Sequence, residues 1–208
     1  MCSAQNGLVV GVDGSAPCDA AIRWAARDAV LRGLPLTMLH VVTPTPADST
    51  MGPAPGVNQS QQDRARHILD MACAVVEEVV GGQLADLHIR VRYAGVVPAL
   101  LEASTAARMV VVGRRGAGAL RLSVPGSVSE AMLHHAACPV AVVPDPPNQE
   151  SRVGAPVLVG VDGSPASRAA MALAFEEASS RGVAVVALHA WSDVGVFPVV
   201  GMDWRTNR

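Results

Sequence analysis

The residues with the clearest chemical potential lie at positions 108–130, where the sequence reads RMVVVGRRGAGALRLSVPGSVSE. The apolar run at 109–112 predicts a buried strand, because nothing in it alternates with polar residues. Four glycines follow this run: Gly113, Gly116, Gly118 and Gly126. A helix is expected to begin at Ser127. Glycines between a buried strand and a helix N-terminus let backbone N–H groups surround an anion, and the helix dipole adds partial positive charge. These residue types favour a phosphate-binding loop.

The spacing of the glycines is more specific than their number. Gly113 and Gly116 are separated by two residues, and nine more precede the pair Gly126-Ser127, which gives the pattern G-x2-G-x9-G-[S/T]. A Walker loop would need a lysine before its Ser or Thr, and this chain contains no lysine. A dinucleotide fingerprint is absent as well, since the first strand ends in GVDG. The pattern resembles the nucleotide-binding loop of the ATP-binding branch of the universal stress protein family.

This resemblance implies where an adenine nucleotide would bind. Gly11 and Asp13 match positions at the end of the first strand that approach the nucleoside, with Asp13 as an acceptor for adenine or ribose. The backbone of Val41, or of Val42, matches the strand end that meets adenine. The matches around ribose and phosphates are Gly113, Arg114, Arg115, Gly116, Ala117, Gly118, Ala119, Gly126, Ser127 and Val128. Arg114, Arg115 and Arg121 are further candidates for binding phosphate. The N–H groups of a guanidinium can bond to two phosphate oxygens at once, and the chain has no lysine to take this role.

Several of these residues also have an explanation that needs no ligand. Asp13 begins an Asp-Gly-Ser turn in which Ser15 could cap the following helix. Ser127 and Glu130 form the capping-box pattern S-x-x-E. Capping and phosphate contact can share one helix end, so neither explanation excludes the other. Four glycines at this spacing are harder to explain as a turn alone, and nucleotide binding is the favoured interpretation.

The histidines and cysteines carry less information. His134 and His135 have no Asp or Glu at ligand spacing, so an exposed pair is favoured over a metal site, and none is predicted. His40 and His189 lie at apolar strand ends and are expected to be hydrogen-bonded structural residues. The four cysteines contain no C-x-x-C pair, so small buried hydrophobic roles are favoured, with Cys2 and Cys18 partly exposed and oxidisable.

The elements that must position the loop follow from the apolar pattern. Strands are predicted at 8–12, 35–42, 87–93, 109–113 and 139–143, and helices at 16–32, 59–80, 98–107 and 127–136. The segment 43–57 is rich in Pro and Gly and predicts a loop. The alternation of strands and helices predicts an α/β fold with a doubly wound parallel sheet of five strands. The resemblance implies the strand order 3-2-1-4-5 of the adenine nucleotide alpha hydrolase-like fold, and a ligand between strands one and four.

An internal repeat follows this domain. The sequence VGVDGS occurs at 10–15 and at 159–164, and the offset of 149 residues still holds where Leu188-His189 matches Leu39-His40. The predicted organisation is a complete domain at 1–143, a Pro-rich linker at 144–156 and a truncated second repeat at 157–208 that has a strand, a helix and a strand. A lone βαβ unit cannot cover its own sheet, so residues 157–191 are expected to dock on the first domain or on a second subunit, or to be poorly ordered in solution.

Composition narrows the class of protein. Half of the residues are hydrophobic and 16% are charged, which suits a packed core, and the net charge of −2 gives no reason to expect nucleic acid as a partner. No apolar run reaches the length of a membrane span, and the first residues lack the features of a signal peptide. No membrane partner and a cytoplasmic location are therefore expected.

Two functional hypotheses remain open beside a ligand-free dimeric scaffold. The favoured one is an ATP-binding protein that signals in stress response or dormancy, with AMP or ADP as alternatives to ATP and with Mg²⁺ as a candidate companion of the nucleotide. The alternative is a slow ATP hydrolase or nucleotidyl-transfer enzyme, although no residue stands out as catalytic. The resemblance also implies a homodimer, in which the edge strand from Pro139 to Val143 pairs with its twin.

Overall fold

The computed structural model of the protein describes residues 7–44, 59–116, 126–144 and 154–191. The chain forms two compact units, Met1–Gln149 and Glu150–Arg208. The predicted loop at 43–57 and the predicted linker at 144–156 lie mostly outside the described residues, so the domain boundaries stay a prediction.

The first unit contains a five-stranded parallel sheet with the order β3-β2-β1-β4-β5. Its elements are β1 (Leu8–Val12), α1 (Ala16–Arg32), β2 (Leu36–Val42), α2 (Gln59–Val80), β3 (Leu87–Tyr93), α3 (Val96–Ser104), β4 (Met109–Gly113), α4 (Ser127–His135) and β5 (Val140–Val143). The predicted fold class and strand order are confirmed. The order reverses between β1 and β4, because β2 and β3 extend the sheet on one side and β5 extends it on the other.

The core lies between the sheet and two helical layers. Helices α1 and α2 pack against each other, and α3 packs against α4. The central strands β1 and β4 are buried most deeply, with Val10, Val110 and Val111 fully inaccessible to solvent. Leu39, Leu100 and Met132 join the β4 valines in one buried cluster that fixes α3 and α4 over the sheet. This packing sets the positions of the strand ends that carry the candidate site.

Local sequence explains the ends of α1. Pro17 is tolerated in the first turn, where its missing N–H has no intrahelical acceptor to lose. Gly33 ends the helix in the left-handed conformation with φ 61°, and its N–H returns to the carbonyl groups of the last turn. Ser15 occupies the N-cap position, as expected, but its side chain makes no capping bond.

Two elements differ from the sequence-based expectation. Helix α3 begins at Val96 and ends at Ser104, a shift toward the N-terminus that Pro98 permits because it then falls in the first turn. Strand β3 was expected to bury one face, yet Ile89 and Tyr93 on its apolar face are each about half exposed. The reason is its place at the edge of the sheet, where helix cover ends.

The second unit is the predicted βαβ repeat. It consists of β6 (Val157–Gly160), α5 (Pro165–Arg181) and β7 (Val185–Leu188), and the two strands are parallel. Leu158, Val186 and Leu188 are exposed in it, whereas their counterparts on β1 and β2 face a covered part of the sheet. Within the described parts of the chain, no helix is both long and apolar enough to cross a membrane.

Candidate functional site

A cavity of about 440 Å³ lies at the point where the strand order reverses. The register between β1 and β4 runs from Leu8↔Met109 to Val10↔Val111, and the last residues of both strands line the cavity. The lining residues are Gly11, Val12, Asp13, Cys18, Leu39, Val41, Val96, Leu100, Val112, Gly113, Arg115, Gly116, Gly126, Ser127, Val128 and Ser129. We refer to this cavity as the crevice. In open α/β sheets, ligands bind at such a reversal, outside the carboxyl ends of the strands.

One side of the crevice is the turn after β1. Asp13 Oδ1 accepts hydrogen bonds from the backbone N–H of Ser15 at 2.9 Å and from its hydroxyl at 2.6 Å. The hydroxyl therefore orients the carboxylate and does not cap α1. A Cβ added at Gly116 would lie 2.9 Å from Asp13 Oδ2, so the carboxylate contacts the loop after β4 across the crevice. Asp13 therefore makes the turn hydrogen bonds that the sequence predicted, and its second oxygen, Oδ2, faces the loop after β4.

Two further hydrogen bonds fix the end of β1. The His40 Nδ1–H donates to the Val12 carbonyl at 2.7 Å, as expected of a structural histidine, and His189 makes the equivalent bond to Val161 in the second unit. The Cys18 thiol donates to the Gly11 carbonyl at 3.3 Å. Cys18 is only 3% exposed, which fits the favoured role of a small buried hydrophobic residue and contradicts the alternative of a partly exposed, oxidisable thiol. Burial raises the pKa of the Cys18 thiol to about 12, so the thiol stays protonated.

The opposite side is the start of α4, whose cap differs from the prediction. Gly126 is the N-cap and Ser127 is already the first helical residue, so Ser127 and Glu130 do not form a capping box. The side chain that holds this turn is Ser129, whose hydroxyl donates to the Gly126 carbonyl at 2.8 Å. The first N–H groups of the helix, at Ser127 and Val128, precede the i→i−4 pattern and border the crevice.

The two ends of the glycine loop are joined by the backbone. The Gly126 N–H donates to the Arg114 carbonyl at 2.9 Å, and the Arg114 N–H donates to Val143 on β5 at 2.8 Å. These bonds hold the first and the last residues of the loop next to each other beside the crevice. Ala117, Gly118, Ala119 and Arg121, which the sequence assigned to this loop, lie outside the described residues.

The arginines separate in the structure. Arg115 lines the crevice, as Asp13 does, and carries a positive charge. Arg114 does not line it, although its backbone anchors the loop. The prediction that both guanidinium groups meet a phosphate therefore fits Arg115 better than Arg114.

The inner part of the crevice is apolar. Val41 lines it together with Leu39, Val96, Leu100 and Val112. At Gly11 an added Cβ would lie 3.5 Å from the Leu100 side chain, which is an ordinary contact. Packing alone therefore does not require glycine at this position, and its missing side chain leaves the floor of the crevice open.

Sequence reasoning missed several lining residues, and some of them left a signal. Leu39 shares a strand face with Val41, because residues two apart on a strand point the same way. Val96 and Leu100 are four apart on α3 and so lie on one helix face. No comparable signal identified Ser129 or Cys18, because their roles depend on carbonyl groups brought to them by folding.

The arrangement suits an elongated ligand with an apolar or aromatic end and an anionic end. The apolar walls exclude water, while backbone N–H groups and Arg115 favour negative charge. Within the described ranges, no three His, Cys, Asp or Glu side chains form a cluster that could hold a metal ion. The fold and the site thus define an open, doubly wound α/β domain with an anion-compatible crevice at its topological switch point.

The chain belongs to the universal stress protein family. The sequence pattern of the Universal stress protein family matches residues 7–144 and again residues 155–207. A universal stress protein of Mycobacterium tuberculosis is 46% identical over 212 residues, which cover 99% of this chain and 70% of that protein. A second, from Mycolicibacterium smegmatis, is 45% identical over 210 residues, covering 99% of this chain and 71% of that protein. The resemblance found in the sequence is confirmed.

A solved universal stress protein from Archaeoglobus fulgidus has the same fold. It superposes with a TM-score of 0.67 at 18% identity, and the match covers 93% of this chain and 69% of that chain. At this level of identity the likeness establishes the fold alone.

Proposed function

We propose that the crevice binds an adenine nucleotide, ATP or its products ADP and AMP, and that occupancy is a signal in stress response or dormancy-type regulation. The observation that carries the proposal is the convergence of three features on one cavity: the open floor at Gly11, the carboxylate of Asp13 and the start of α4 beside Gly116. Each was selected from the sequence for nucleotide binding, and all of them line the same space. Mg²⁺ could accompany the nucleotide.

The chemistry of the walls supports one orientation of the proposed nucleotide. The base would lie in the apolar part, where its faces would meet apolar side chains and the backbone of Val41 would replace the water lost from its polar edge. The ribose would meet the carboxylate of Asp13, whose hydrogen bonds to Ser15 hold it in place. The phosphates would lie against the N–H groups at the start of α4 and the guanidinium of Arg115.

A binding role is favoured over rapid turnover. Asp13 is the only acidic side chain among the described residues that line the crevice, and it is already engaged by Ser15. Efficient phosphoryl transfer generally uses several positioned groups, among them a base and metal-binding carboxylates. We therefore propose that the nucleotide is held long enough to act as a signal, with at most slow hydrolysis.

We also propose a homodimer that forms through β5. This strand is the edge of the sheet, and Val140, Ala141 and Val142 on it are partly accessible. An apolar edge strand is a ready template for pairing with an identical strand across a two-fold axis. Sedimentation velocity should give a dimer mass, and dilution to monomer should speed amide exchange at 140–143. A monomer at all concentrations with fast exchange there would contradict the proposal.

Nucleotide binding is tested by calorimetric titration of the full chain with ATP, ADP, AMP and GTP, with and without Mg²⁺. The variant is Gly11→Ala, whose Cβ fits the fold at 3.5 Å from Leu100 but enters the crevice. The matched control is Gly160→Ala at the equivalent position of the repeat, where a Cβ would meet nothing within 4 Å. Gly11→Ala should weaken binding about tenfold or more with an unchanged melting temperature, and Gly160→Ala should bind like the unaltered protein.

Two results would overturn the proposal. The first is the absence of adenine nucleotide binding by the folded, unaltered chain. The second is equal affinity of the Gly11→Ala variant and the unaltered protein. Nucleotide released by denaturing the protein after hours with ATP separates the two activities: intact ATP supports a binding role, and quantitative conversion to ADP or AMP supports the hydrolase.

A further inference from the structure

A second cavity, of about 230 Å³, lies beside α3, and Leu39 borders both this cavity and the crevice. Ala99 and Ala103 of α3 border it, whereas Val96 and Leu100 of the same helix border the crevice. Its floor is apolar and includes Val9. We refer to it as the α3 cavity. It is smaller than the range of roughly 300–1,000 Å³ that is usual for ligand pockets, so it suits a small molecule.

Thr37 is the first unexplained group in the α3 cavity. It is 6% exposed and lines the cavity, and its hydroxyl has no hydrogen-bond partner within the part of the chain that the structure describes. A hydroxyl that lines a cavity and has no protein partner can donate a hydrogen bond to a molecule in that cavity. The repeat shows that the βαβ unit does not need it, because the equivalent position holds the isosteric Val186.

Arg90 is the second unexplained group. It lies on the edge strand β3, exposed at the rim of the α3 cavity, and it forms no ion pair with any described residue. The neighbouring Arg92 is different, because it pairs with Glu102 of α3. The cavity rim therefore carries one uncompensated positive charge.

The sheet register brings these two groups together. Thr37 pairs with His88 and Leu39 with Arg90, so Thr37 and Arg90 are diagonal neighbours on one face. Strand spacing and rise place their Cα atoms roughly 8 Å apart, within reach of the arginine side chain. A hydroxyl and a guanidinium group thus face the same small space above an apolar floor.

We propose that the α3 cavity binds a small aliphatic carboxylate. The guanidinium of Arg90 receives the carboxylate, the Thr37 hydroxyl donates a further hydrogen bond, and the hydrocarbon part lies on Val9 and the alanines of α3. The Glu102 carboxylate does not repel this ligand, because Arg92 neutralises it. The site does not depend on nucleotide binding in the crevice.

The test is a titration of the full chain with butyrate, followed by amide chemical shifts on β2 and β3. Butyramide is the neutral isostere, and its binding should be at least about tenfold weaker. Arg90→Gln should weaken butyrate binding at least about tenfold, and Thr37→Val, which preserves shape, about three- to tenfold. Arg66→Gln, at an exposed arginine on α2, is the matched control and should leave the affinity unchanged.

Melting temperatures distinguish a loss of butyrate binding from a loss of folding. Unchanged melting temperatures of Thr37→Val and Arg90→Gln show that lost affinity does not come from lost folding, and Thr37→Val should be no less stable than the unaltered protein. The proposal is overturned if butyrate shifts no amide near Thr37, if Arg90→Gln binds butyrate as well as the unaltered protein does, or if butyramide or inorganic phosphate binds as tightly as butyrate.

Discussion

Replacing Gly116 with alanine tests whether Asp13 is held as rigidly as the hydrogen bonds indicate. The added Cβ would lie 2.9 Å from Asp13 Oδ2, closer than real Cβ contacts allow, so one of the two groups must move. Asp13 resists movement because its other oxygen is tied to the N–H and hydroxyl of Ser15. Overpacking of this kind costs about 1–3 kcal/mol. Replacing glycine also lowers the conformational entropy of the unfolded chain, and this stabilises the folded protein by about 0.4–1 kcal/mol.

The expected net effect is a loss of about 0.5–2 kcal/mol in the free energy of unfolding of the first unit. The effect of Gly116→Ala on the free energy of unfolding should change sign in an Asp13→Ala background. The carboxylate that the added Cβ would contact is then absent, and only the effect on the unfolded chain remains. In that background Gly116→Ala should stabilise by about 0.4–1 kcal/mol. Asp13→Ala itself should cost about 1 kcal/mol, since the N–H of Ser15 loses its acceptor.

The assay is urea denaturation of the nucleotide-free chain, followed by the fluorescence of Trp24 on α1 with Trp191 and Trp204 replaced by phenylalanine. This makes the signal specific to the first unit. The coupling energy from the double-mutant cycle should be about 1–3 kcal/mol. If Gly116→Ala destabilises equally in both backgrounds, the contact with Asp13 is not the cause and Ser15 does not hold the Asp13 carboxylate rigidly.

Three other predictions follow from single features of the structure. Asp28→Asn removes the charge that pairs with Arg32 at 2.8 Å in a buried site, so the free energy of unfolding by urea should fall by about 3 kcal/mol. Cys18 should resist iodoacetamide at pH 8 in the folded protein and react in urea, by mass spectrometry, because burial raises its pKa to about 12. Hydrogen bonds from the side chain and N–H of Ser164 lower the pKa of Asp162 to about 2, which an NMR titration should show. This depressed pKa gives stability that is present above its ordinary value of about 3.9 and is lost as pH falls through about 2.

The repeat supplies the control for the buried ion pair. Glu177 and Arg181 occupy the positions of Asp28 and Arg32 and form the same i,i+4 pair, but they are more accessible to solvent. Glu177→Gln should therefore cost less than about 1 kcal/mol. Equal costs at the two sites would show that burial does not control the strength of this pair. Rapid alkylation of Cys18 in the folded protein, or a pKa of Asp162 near its ordinary value, would contradict the other two predictions.

The sequence predicted the elements that depend on local pattern. The bounds of β1, β4 and the long helix α2 match because their apolar residues recur at one period and stop at glycine or a polar turn. Residues selected by spacing also come together: Gly11, Asp13, Gly113 and Gly126 line one crevice although they are distant in sequence. Strand order made this possible, since the carboxyl ends of β1 and β4 are neighbours in the sheet.

Other features could not be predicted from the local sequence pattern. The cap of α4 was misplaced because S-x-x-E fits the sequence, whereas the bond from Gly126 to the Arg114 carbonyl, which fixes the turn, joins distant segments. Burial of Cys18 has the same origin, since its thiol meets a carbonyl of β1. The unpartnered Thr37 could not be recognised either, because a threonine on a strand is ordinary until its neighbours are known.

The two copies of the Asp-Gly-Ser turn show which half of the domain makes the crevice. In the second unit the Ser164 hydroxyl interacts with the Asp162 carboxylate and also accepts from the Ser167 N–H, so that it caps α5, whereas Ser15 donates its hydroxyl to Asp13 and leaves α1 without a side-chain cap. The βαβ unit alone therefore folds its turn for helix capping. In the first unit the loop after β4 lies against the Asp13 carboxylate, and Asp13 borders the crevice. The turn thus becomes part of a cavity wall through β4 and α4, which is why the Asp-Gly-Ser sequence alone could not distinguish a cavity wall from a helix cap.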